Sequence, residues 1–412
     1  MRIVIVGAGV AGISAAEELR RRDCTLEIAI VSDEKYYYRA ALSKYFQGVI
    51  SKDEVWGKPD NWYEANDINL RLGKAIRIDT EKKQVECAGG DTLPYDRMLI
   101  ATGADPFVGD WPGLDLDGVC TYRGLECVEK FLRFVRAGAK HAVVIGGGIL
   151  SFELIENFLK LGLKVTFVVR GSQLLNLLFD DVAAGIIESD LRTADVDMKF
   201  NTEAERFTGD NGRVTGVVTK GGDTIGCDIV AVAVGIKADG GLAEGSNIAF
   251  DRAVIVDEYL RTSAPDVYAA GDCCAIKTGE SGARPTRTWL TSALQGRRAA
   301  GNMLGDERVF DEGVFFNVSH VFTSFYGVIG DFNPRDPEGF EFKSWRFSES
   351  SYMRWTLKSG IAVGAIIVNA SRYIWPVRQM IESGVDVSAV AKGDPSPEEL
   401  NLLLPQAAQT LF

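Results

Sequence analysis

The chain has 412 residues, a formal net charge of −12, 46% hydrophobic residues and 25% charged residues. This composition is ordinary for a globular protein and excludes a disordered chain, and the length predicts about two to four domains. The negative charge disfavours nucleic acid and anionic membranes as main partners, because both require a basic surface, and no apolar run approaches the ~20 residues that cross a bilayer.

Apolar runs of strand length recur along the chain, several of them without polar interruption, as in parallel strands buried on both faces. The predicted strands are Ile3–Val6, Glu27–Val31, Met98–Ala101, Ala142–Ile145, Lys164–Val169 and Ile229–Val234. Helical periodicity lies between some of them, for example at Ala11–Arg22 and Leu150–Leu161. Strands that alternate with helices predict βαβ units in doubly wound parallel sheets.

The order strand, glycine turn, helix, strand occurs twice, in residues 1–33 and in residues 141–170. Two such units predict two dinucleotide-binding domains. Because the first strand begins almost at Met1, we expect no signal peptide and a soluble, cytoplasmic protein.

The pattern of residue types in the sequence changes at about residue 312. The aromatic-rich stretch 320–330 and the alternating run Ile361–Val368 predict an antiparallel sheet, followed by short helices, in a third domain. The tail after Lys392 is predicted to be a surface appendage, because it contains Pro395, Pro397 and Pro405.

Two arginine groups are candidates for a local basic patch, although a solvated helix face is the preferred interpretation of the first. They are Arg20, Arg21 and Arg22, and the cluster Arg284, Arg287, Arg297 and Arg298. The seven cysteines are irregularly spaced without a C-x-x-C motif, and only two histidines are present, so neither a disulfide framework nor a metal site is expected. We therefore expect a bound cofactor, and not a metal site, to supply the chemistry of any reaction that this protein catalyses.

The first glycine turn has the pattern G-x-G-x-x-G at Gly7, Gly9 and Gly12, directly after the first strand. Gly7 permits the tight turn, Gly9 lets the backbone approach a pyrophosphate, and Gly12 lets the helix pack closely on the strand. Asp33 or Glu34, at the end of the next strand, is placed to accept the ribose hydroxyls.

The second turn repeats this pattern at Gly146 and Gly148, with Ser151 in the third glycine position. The following strand ends at Val169, where an NADH enzyme usually has an acid, and Arg170 comes next. Arg170 either accommodates the 2′-phosphate of NADPH or stacks on adenine or faces solvent. The Michaelis constants for NADH and NADPH distinguish these alternatives.

Several later segments resemble the two-dinucleotide flavoprotein reductases. The stretch that ends in Ala270-Gly271-Asp272 resembles their late flavin motif, whose aspartate binds the ribityl chain of FAD, and Leu99 to Gly103 resembles their linker motif. Val232 to Ile236 resembles their second nicotinamide-domain segment. The first turn is therefore expected to bind FAD and the second NADH or NADPH.

The segment Asp33 to Lys44 resembles the part of ferredoxin, rubredoxin and putidaredoxin reductases that lies against FAD. Arg39 and Leu42-Ser43-Lys44 match this pattern, whereas Ala40-Ala41 replaces its proline pair. In the coenzyme A disulfide reductase and NADH oxidase branch a redox cysteine stands where this chain has Ala40, so a thiol relay through this position is excluded. A relay through Cys273 and Cys274 is less favoured than two small buried residues beside the flavin.

Three residues are expected to be catalytic by this resemblance. Family members carry a glutamate that faces the nicotinamide, here Glu153, often paired with a lysine near flavin N5, here Lys44. Trp289 resembles the tryptophan that opens a helix whose N-terminus points at the flavin, with a core tryptophan as the alternative. The other residues expected to contact the cofactors are Ala11, Ile76, Ala101, Thr102, Gly103, Arg123, Ile149, Leu150, Val234, Gly235 and Leu290.

The C-terminal region, especially residues 344–346 and 360–368, resembles the small domain of the rubredoxin and nitrite reductase branch. The chain is thus identified as a member of the pyridine nucleotide-disulfide oxidoreductase superfamily, in a branch without the redox cysteines. The expected fold is α/β, with two Rossmann-like domains and a C-terminal α+β domain. The expected domains are an FAD domain at 1–110 and 240–310, an NAD(P)H domain at 111–239 and an interface domain at 311–412.

The resemblance implies an FAD-dependent NAD(P)H oxidoreductase that exchanges electrons with an iron–sulfur protein, either as a separate reductase or as the FAD subunit of a larger complex. Two alternatives stay open. One is a stand-alone oxidase or dehydrogenase that uses oxygen or a quinone. The other is a flavin-binding interaction protein like the apoptosis-inducing factors, which the negative charge disfavours.

Overall fold

A computed structural model describes residues 1–277, 283–284, 287–334, 336–388, 396 and 398–399, without the side chains of residues 283 and 284. The chain divides into two compact units. Unit 1 comprises Met1–Phe107 and Gly235–Asp311, and unit 2 comprises Val108–Val234 and the chain from Glu312 onward. Most of the predicted tail after Lys392, including Pro395, Pro397 and Pro405, and the Arg284 side chain lie outside the described residues.

Unit 1 is built on a five-stranded parallel sheet in the order β19-β7-β1-β2-β3. Its strands are β1 (Arg2–Val6), β2 (Glu27–Ser32), β3 (Ile68–Leu72), β7 (Arg97–Ile100) and β19 (Val267–Ala269). The apolar side chains of β1 are all buried, because helices or loops cover both faces of a parallel sheet.

The other strands of unit 1 form three small sheets. They are β4 (Ala75–Asp79), β5 (Gln84–Cys87) and β6 (Thr92–Pro94) in one antiparallel sheet, β8 (Asp105–Pro106) with β17 (Ile236–Lys237), and β18 (Val254–Val256), β20 (Cys274–Lys277) and β21 (Ala283–Arg284). The β8–β17 ribbon joins the two places where the chain leaves and re-enters unit 1. This position agrees with the linker role that the sequence predicts for the neighbouring segment.

The helices of unit 1 are α1 (Val10–Arg22), α2 (Leu42–Phe46), α3 (Trp62–Ala65) and α7 (Trp289–Met303). Helices α1 and α7 pack closely, since small residues of both are buried where they meet. A β-carbon on Gly296 would lie 2.1 Å from the carbonyl oxygen of Ala11, so only glycine permits this approach.

The preferred interpretation of Arg20 to Arg22 as a solvated helix face is wrong for Arg20. Its side chain is only 12% exposed, and its guanidinium donates hydrogen bonds to backbone carbonyls of the segments that flank β2 and β3, at 2.6 to 2.9 Å. Arg21 forms an ion pair with Glu18, and Arg22 forms one with Asp306. Arg20 and Arg22 thus bind other segments of unit 1, whereas Arg21 lies on a solvated helix face as predicted.

Unit 2 repeats the parallel architecture in a second five-stranded sheet, in the order β12-β11-β10-β16-β9. Its strands are β9 (Val119–Thr121), β10 (His141–Ile145), β11 (Lys164–Val168), β12 (Asp197–Lys199) and β16 (Ile229–Val232). The helices are α4 (Leu125–Arg136), α5 (Ile149–Lys160) and α6 (Asp181–Thr193), and an antiparallel sheet contains β13 (Ala204–Asp210), β14 (Arg213–Thr219) and β15 (Thr224–Gly226).

The C-terminal part of unit 2 is a five-stranded antiparallel sheet in the order β22-β23-β26-β25-β24. Its elements are β22 (Phe316–Val321), β23 (Ser324–Gly330), β24 (Glu341–Ser348), β25 (Ser351–Lys358), β26 (Ile361–Val368) and α8 (Ile374–Ser383). One face packs against α8 around Trp355 and Met353. The antiparallel sheet and following helix predicted from residue 312 are confirmed.

The other face of this C-terminal sheet contacts the segment that begins α6. Asp180 caps α6 by accepting the backbone N–H of Ala183 at 2.9 Å. The same carboxylate accepts the Tyr352 hydroxyl at 2.6 Å and forms an ion pair with the buried Arg354 at 3.0 Å. One aspartate therefore joins the C-terminal sheet to the parallel half of unit 2.

Replacing Asp180 with alanine is expected to reduce the free energy of unfolding of unit 2 by about 3 kcal/mol, because it removes a helix cap and leaves a buried guanidinium without its charge partner. Urea denaturation measures this loss. Glu205→Ala is the control, since it removes an exposed ion pair with Arg206 and is expected to cost less than about 1 kcal/mol. Equal losses in both variants would contradict the role of Asp180.

Candidate dinucleotide-binding sites

The first glycine turn connects β1 to α1 in unit 1. Gly7 has a φ of +109°, and a β-carbon at this position would lie 2.3 Å from the carbonyl oxygen of Ala101. A β-carbon on Gly12 would lie 2.0 Å from the carbonyl oxygen of Gly7. Both glycines are therefore required by direct backbone contact, as the sequence pattern predicts.

Gly9 differs from these two glycines because no atom lies within 4 Å of the position of its β-carbon. It is the N-cap of α1, where no side chain satisfies the helix N–H groups and the first turn contains no acid. An open space at a helix N-terminus with available N–H groups fits a pyrophosphate. The geometry of this turn therefore fits a dinucleotide.

A second group of residues lies close to the same turn, at the end of β19. The Gly271 N–H donates a hydrogen bond to Gln295 Oε1 at 2.8 Å, and Ser292 Oγ donates to Asp272 Oδ1 at 3.3 Å. Gly271 has a φ of +86°, and its β-carbon would lie 3.1 Å from that of Ala11. This arrangement fixes Asp272 close to the start of α1.

The Asp272 carboxyl is poorly solvated. Burial raises its pKa, while the Ser292 hydroxyl and the charges of Arg287 and Arg39 act in the opposite direction. A carboxyl in such surroundings is a strong hydrogen-bond acceptor for a polyol hydroxyl. This environment fits the role that the resemblance implies, a contact with the ribityl chain of FAD.

Sequence reasoning did not assign a role to Ser292, Gln295 or Gly296, although it noted the motif that contains them. Their spacing of three and four residues places them on one face of α7, towards Gly271 and α1. That spacing was the only sign in the sequence that these residues act together. It indicates a contact with α1 only once the structure shows that α7 packs against α1.

The segment after β2 carries the predicted Asp33, Glu34, Arg39 and Lys44. Asp33 is exposed, whereas Glu34 forms an ion pair with Arg39, which also donates to the Tyr37 hydroxyl at 2.5 Å. Lys44 is exposed on α2. Because Lys44 belongs to unit 1 and Glu153 to unit 2, their ion pair stays a prediction.

Trp289 begins α7, and Thr288 caps this helix by accepting the N–H of Thr291 at 3.2 Å. The indole is 44% exposed, so the alternative of a core tryptophan is wrong. Its ring contacts the exposed Tyr38 edge-on, with 5.4 Å between the ring centroids. The other predicted apolar contacts of unit 1, Leu290 and Ile76, are also exposed.

The second glycine turn connects β10 to α5 in unit 2 and has the same geometry as the first. Gly146 has a φ of +133°, and its β-carbon would lie 2.2 Å from the carbonyl oxygen of Ala233. The position of a Gly148 β-carbon is open, as at Gly9. Ser151, in the third glycine position, is fully buried and its hydroxyl has no hydrogen-bond partner among the described residues.

Glu153 lies one turn into α5, close to this second glycine turn. Burial raises the pKa of its carboxyl to about 7, and the negative charge of Glu156 contributes further. A carboxyl with this pKa changes its charge near neutral pH, as residues that take part in catalysis often do. Its surroundings therefore fit the catalytic assignment.

The remaining predicted residues are placed as follows. Ile149 and Leu150 open α5, and the Leu150 side chain is exposed, as is that of Val234 after β16. Arg170 is exposed directly after β11, next to the buried Val169, and Arg123 is half-buried before α4. In unit 1, Ala101 is buried, Thr102 and Gly103 follow β7, and Gly235 begins the second segment.

Ala40 is exposed, and the Cys273–Cys274 pair after Asp272 is fully buried. Cys273 Sγ donates to the carbonyls of Ala270 and Ile100 at 3.3 and 3.5 Å, and burial raises the pKa of its thiol. A thiol with a raised pKa is a poor nucleophile. The prediction that both cysteines are small buried residues is confirmed.

Two further searches concern the described part of the chain only. No group of three or more metal-ligating side chains is found there. Among the same residues, no helix is both long enough and apolar enough to cross a membrane.

Comparison with known proteins assigns the family. Residues 1–296 match the model of the pyridine nucleotide-disulphide oxidoreductases. The chain belongs to this family. The predicted superfamily is confirmed, and FAD with NADH or NADPH are the cofactors of this oxidoreductase family.

Two relatives illustrate the match. The chain is 30% identical over 403 residues to nitrite reductase (NAD(P)H) of Bacillus subtilis strain 168, which covers 95% of this chain and 48% of the relative. It is 32% identical over 305 residues to the ferredoxin–NAD(+) reductase component of the biphenyl dioxygenase system of Paraburkholderia xenovorans. That alignment covers 73% of this chain and 74% of the relative. This chain thus spans about half the length of the nitrite reductase.

The crystal structure of the ferredoxin reductase for the CYP199A2 system of Rhodopseudomonas palustris aligns with a TM-score of 0.84 at 25% identity. The alignment covers 99% of this chain and 98% of that one. The predicted α/β fold class is confirmed. The predicted domain boundaries and the individual site residues stay predictions.

Replacing Gly9 with valine is expected to weaken FAD binding by about 10-fold or more, because the new side chain fills the open space at the start of α1. The fold of the chain without flavin should be unchanged, since no protein atom lies within 4 Å of the new β-carbon. Fluorescence titration with FAD measures affinity, and circular dichroism checks the fold. Gly185→Ala, on α6, also meets no atom and should leave FAD affinity unchanged; a similar loss there would contradict the assignment.

Proposed function

We propose that this chain is an FAD-dependent NAD(P)H oxidoreductase that exchanges electrons with an iron–sulfur protein in the cytoplasm. The observation that carries the proposal is the presence of two glycine turns of the same geometry in one chain. The first is accompanied by Asp272 and the second by Glu153. Two open helix N-termini supply anchoring points for the pyrophosphates of two dinucleotides.

When bound, FAD supplies the chemistry that accepts an electron pair from the nicotinamide and releases electrons singly. The protein residues bind and orient the cofactors. The N–H groups at Gly9 and at the start of α1 hold one pyrophosphate, and Asp272 accepts a hydroxyl of the flavin side chain. The N–H groups at Gly148 and at the start of α5 hold the other pyrophosphate.

Glu153 is assigned to the nicotinamide side of the reaction. Its carboxyl is half-buried, and no cation forms an ion pair with it within the described part of unit 2. A buried carboxylate needs a charged or hydrogen-bonding partner. The family resemblance implies Lys44 as this partner.

The burial and position of the cysteines favour an iron–sulfur acceptor over a thiol relay. Ala40 has no thiol, and Cys273 is buried with a raised pKa, so a thiol relay has no suitable nucleophile at these positions. The relatives named above include a ferredoxin reductase component and a nitrite reductase twice as long as this chain. A separate reductase and the FAD subunit of a larger complex are both consistent with these relatives.

Replacing Glu153 with glutamine is expected to slow flavin reduction by about 10-fold or more, because the charged carboxylate is lost from the site. In the wild type, the rate should fall as the pH drops through about 7, where protonation neutralises the carboxylate. The variant should lose this pH dependence. Stopped-flow absorbance under anaerobic conditions measures the rate.

The control is Glu126→Gln, which removes an exposed carboxylate of unit 2 that pairs with Lys130. The flavin of this variant should be reduced at the wild-type rate. An unchanged rate in Glu153→Gln would show that the assigned role is wrong.

The acceptor is tested with the isolated protein, NADH or NADPH, and either oxygen alone or an added rubredoxin or two-iron ferredoxin. We expect slow oxygen consumption and a turnover at least about 10-fold faster with the iron–sulfur protein, since flavin can deliver single electrons to a cluster. Spectroscopic reduction of the cluster gives the measurement. Rapid oxygen consumption that the added protein does not change would favour the oxidase alternative.

A further inference from the structure

The end of β11 lies beside the second glycine turn, where a dinucleotide-binding domain holds the adenosine ribose. The Gly146 N–H donates a hydrogen bond to the Val168 carbonyl at 3.0 Å, and a β-carbon on Gly147 would lie 3.4 Å from Val169 Cγ1. Val169 is buried and supplies no acid for a ribose 2′-hydroxyl. The first exposed side chain after the strand is that of Arg170.

A second segment of unit 2 is bound to the backbone on both sides of Arg170. The Thr202 N–H donates a hydrogen bond to the Val169 carbonyl at 3.1 Å. The Asn201 N–H donates to the Gly171 carbonyl at 2.9 Å. Because these two bonds flank Arg170, the segment that follows β12 lies directly against the end of β11.

Glu203 is the next residue of this segment, and its carboxylate has two cations near it. It forms an ion pair with Lys220 at 2.6 Å, and the backbone N–H of Lys220 donates to the Glu203 carbonyl at 2.9 Å. The hydrogen bond from the Lys220 ammonium lowers the pKa of this carboxyl, and the charge of Arg170 acts in the same direction. Glu203 is thus paired with Lys220, whereas Arg170 forms no ion pair with any residue that the structure describes.

The pairing of the neighbouring charges leaves one positive charge uncompensated at the end of β11. Lys199, at the end of β12, pairs with Asp197 at 3.2 Å, as Lys220 pairs with Glu203. Arg170 is the cation that remains. A guanidinium binds two oxygens of a phosphate at once through charge-assisted hydrogen bonds, and it gains much less from a ribose hydroxyl.

We propose that the second turn selects NADPH over NADH, and that Lys220 is a positioning residue for this selection. Lys220 holds the Glu203 carboxylate away from Arg170 and so leaves the guanidinium available for the 2′-phosphate. Without Lys220, the carboxylate pairs with Arg170 and competes with the phosphate, because opposite charges attract and the two segments are already bound together. This inference rests on the proposed function, since it names the dinucleotide that the second site takes.

Calorimetric titration of the FAD-loaded protein with NADP⁺ and with NAD⁺ measures both affinities without turnover. We expect the wild type to bind NADP⁺ at least about 10-fold more tightly, because the guanidinium–phosphate contact is charge-assisted. Lys220→Ala is expected to weaken NADP⁺ binding by about 5-fold and to leave NAD⁺ binding unchanged, because Glu203 competes only with the 2′-phosphate. The double variant Glu203→Gln/Lys220→Ala should recover the wild-type preference, since the competing charge is gone.

Arg206→Ala is the matched control, because it removes another exposed cation of unit 2 that pairs with a nearby acid, Glu205, at 3.1 Å. It should leave both affinities unchanged. Equal affinities for NADP⁺ and NAD⁺ in the wild type would overturn the proposal while leaving the proposed function intact. An unchanged NADP⁺ affinity in Lys220→Ala, or a loss that the double variant does not recover, would also overturn it. A protein that binds neither dinucleotide would reject the proposed function as well.

Discussion

The close contact between a glycine and a neighbouring backbone carbonyl is the constraint on which both dinucleotide turns depend. The β-carbons of Gly7 and Gly146 would lie 2.3 and 2.2 Å from the carbonyl oxygens of Ala101 and Ala233. Because these oxygens occupy the space of a side chain, the chain turns tightly after its strand. The following helix then begins with its N–H groups directed at open space, where Gly9 and Gly148 leave room for a ligand.

The surroundings distinguish the two turns, although their backbones are alike. In unit 1, small residues let α7 approach α1, and this approach places Gln295 and Ser292 beside Gly271 and Asp272. In unit 2, a glutamate on the helix becomes half-buried, and its pKa rises to about 7. One turn thus acquires a fixed acceptor, and the other acquires a group that titrates near neutral pH.

The C-terminal sheet has a structural connection to the second turn, since it belongs to the same unit. Asp180 ties Tyr352 and Arg354 to the start of α6, and the neighbouring Phe179 contacts Tyr326. One face of this sheet packs against α8, and the other face packs against the helices of the parallel half. It therefore joins parts of unit 2 that lie far apart in the sequence.

The sequence by itself determined six of the ten parallel strands, both glycine turns and their order, because apolar runs and glycine spacing act through local geometry. It also predicted roles for Asp272 and Glu153, through motifs that resemble a known family, and these roles stay predictions. Only the tertiary structure decided the burial of Arg20, the exposure of Trp289 and the partners of Gln295 and Asp180. These depend on contacts between distant segments, and a side chain's burial and pKa follow from what packs against it.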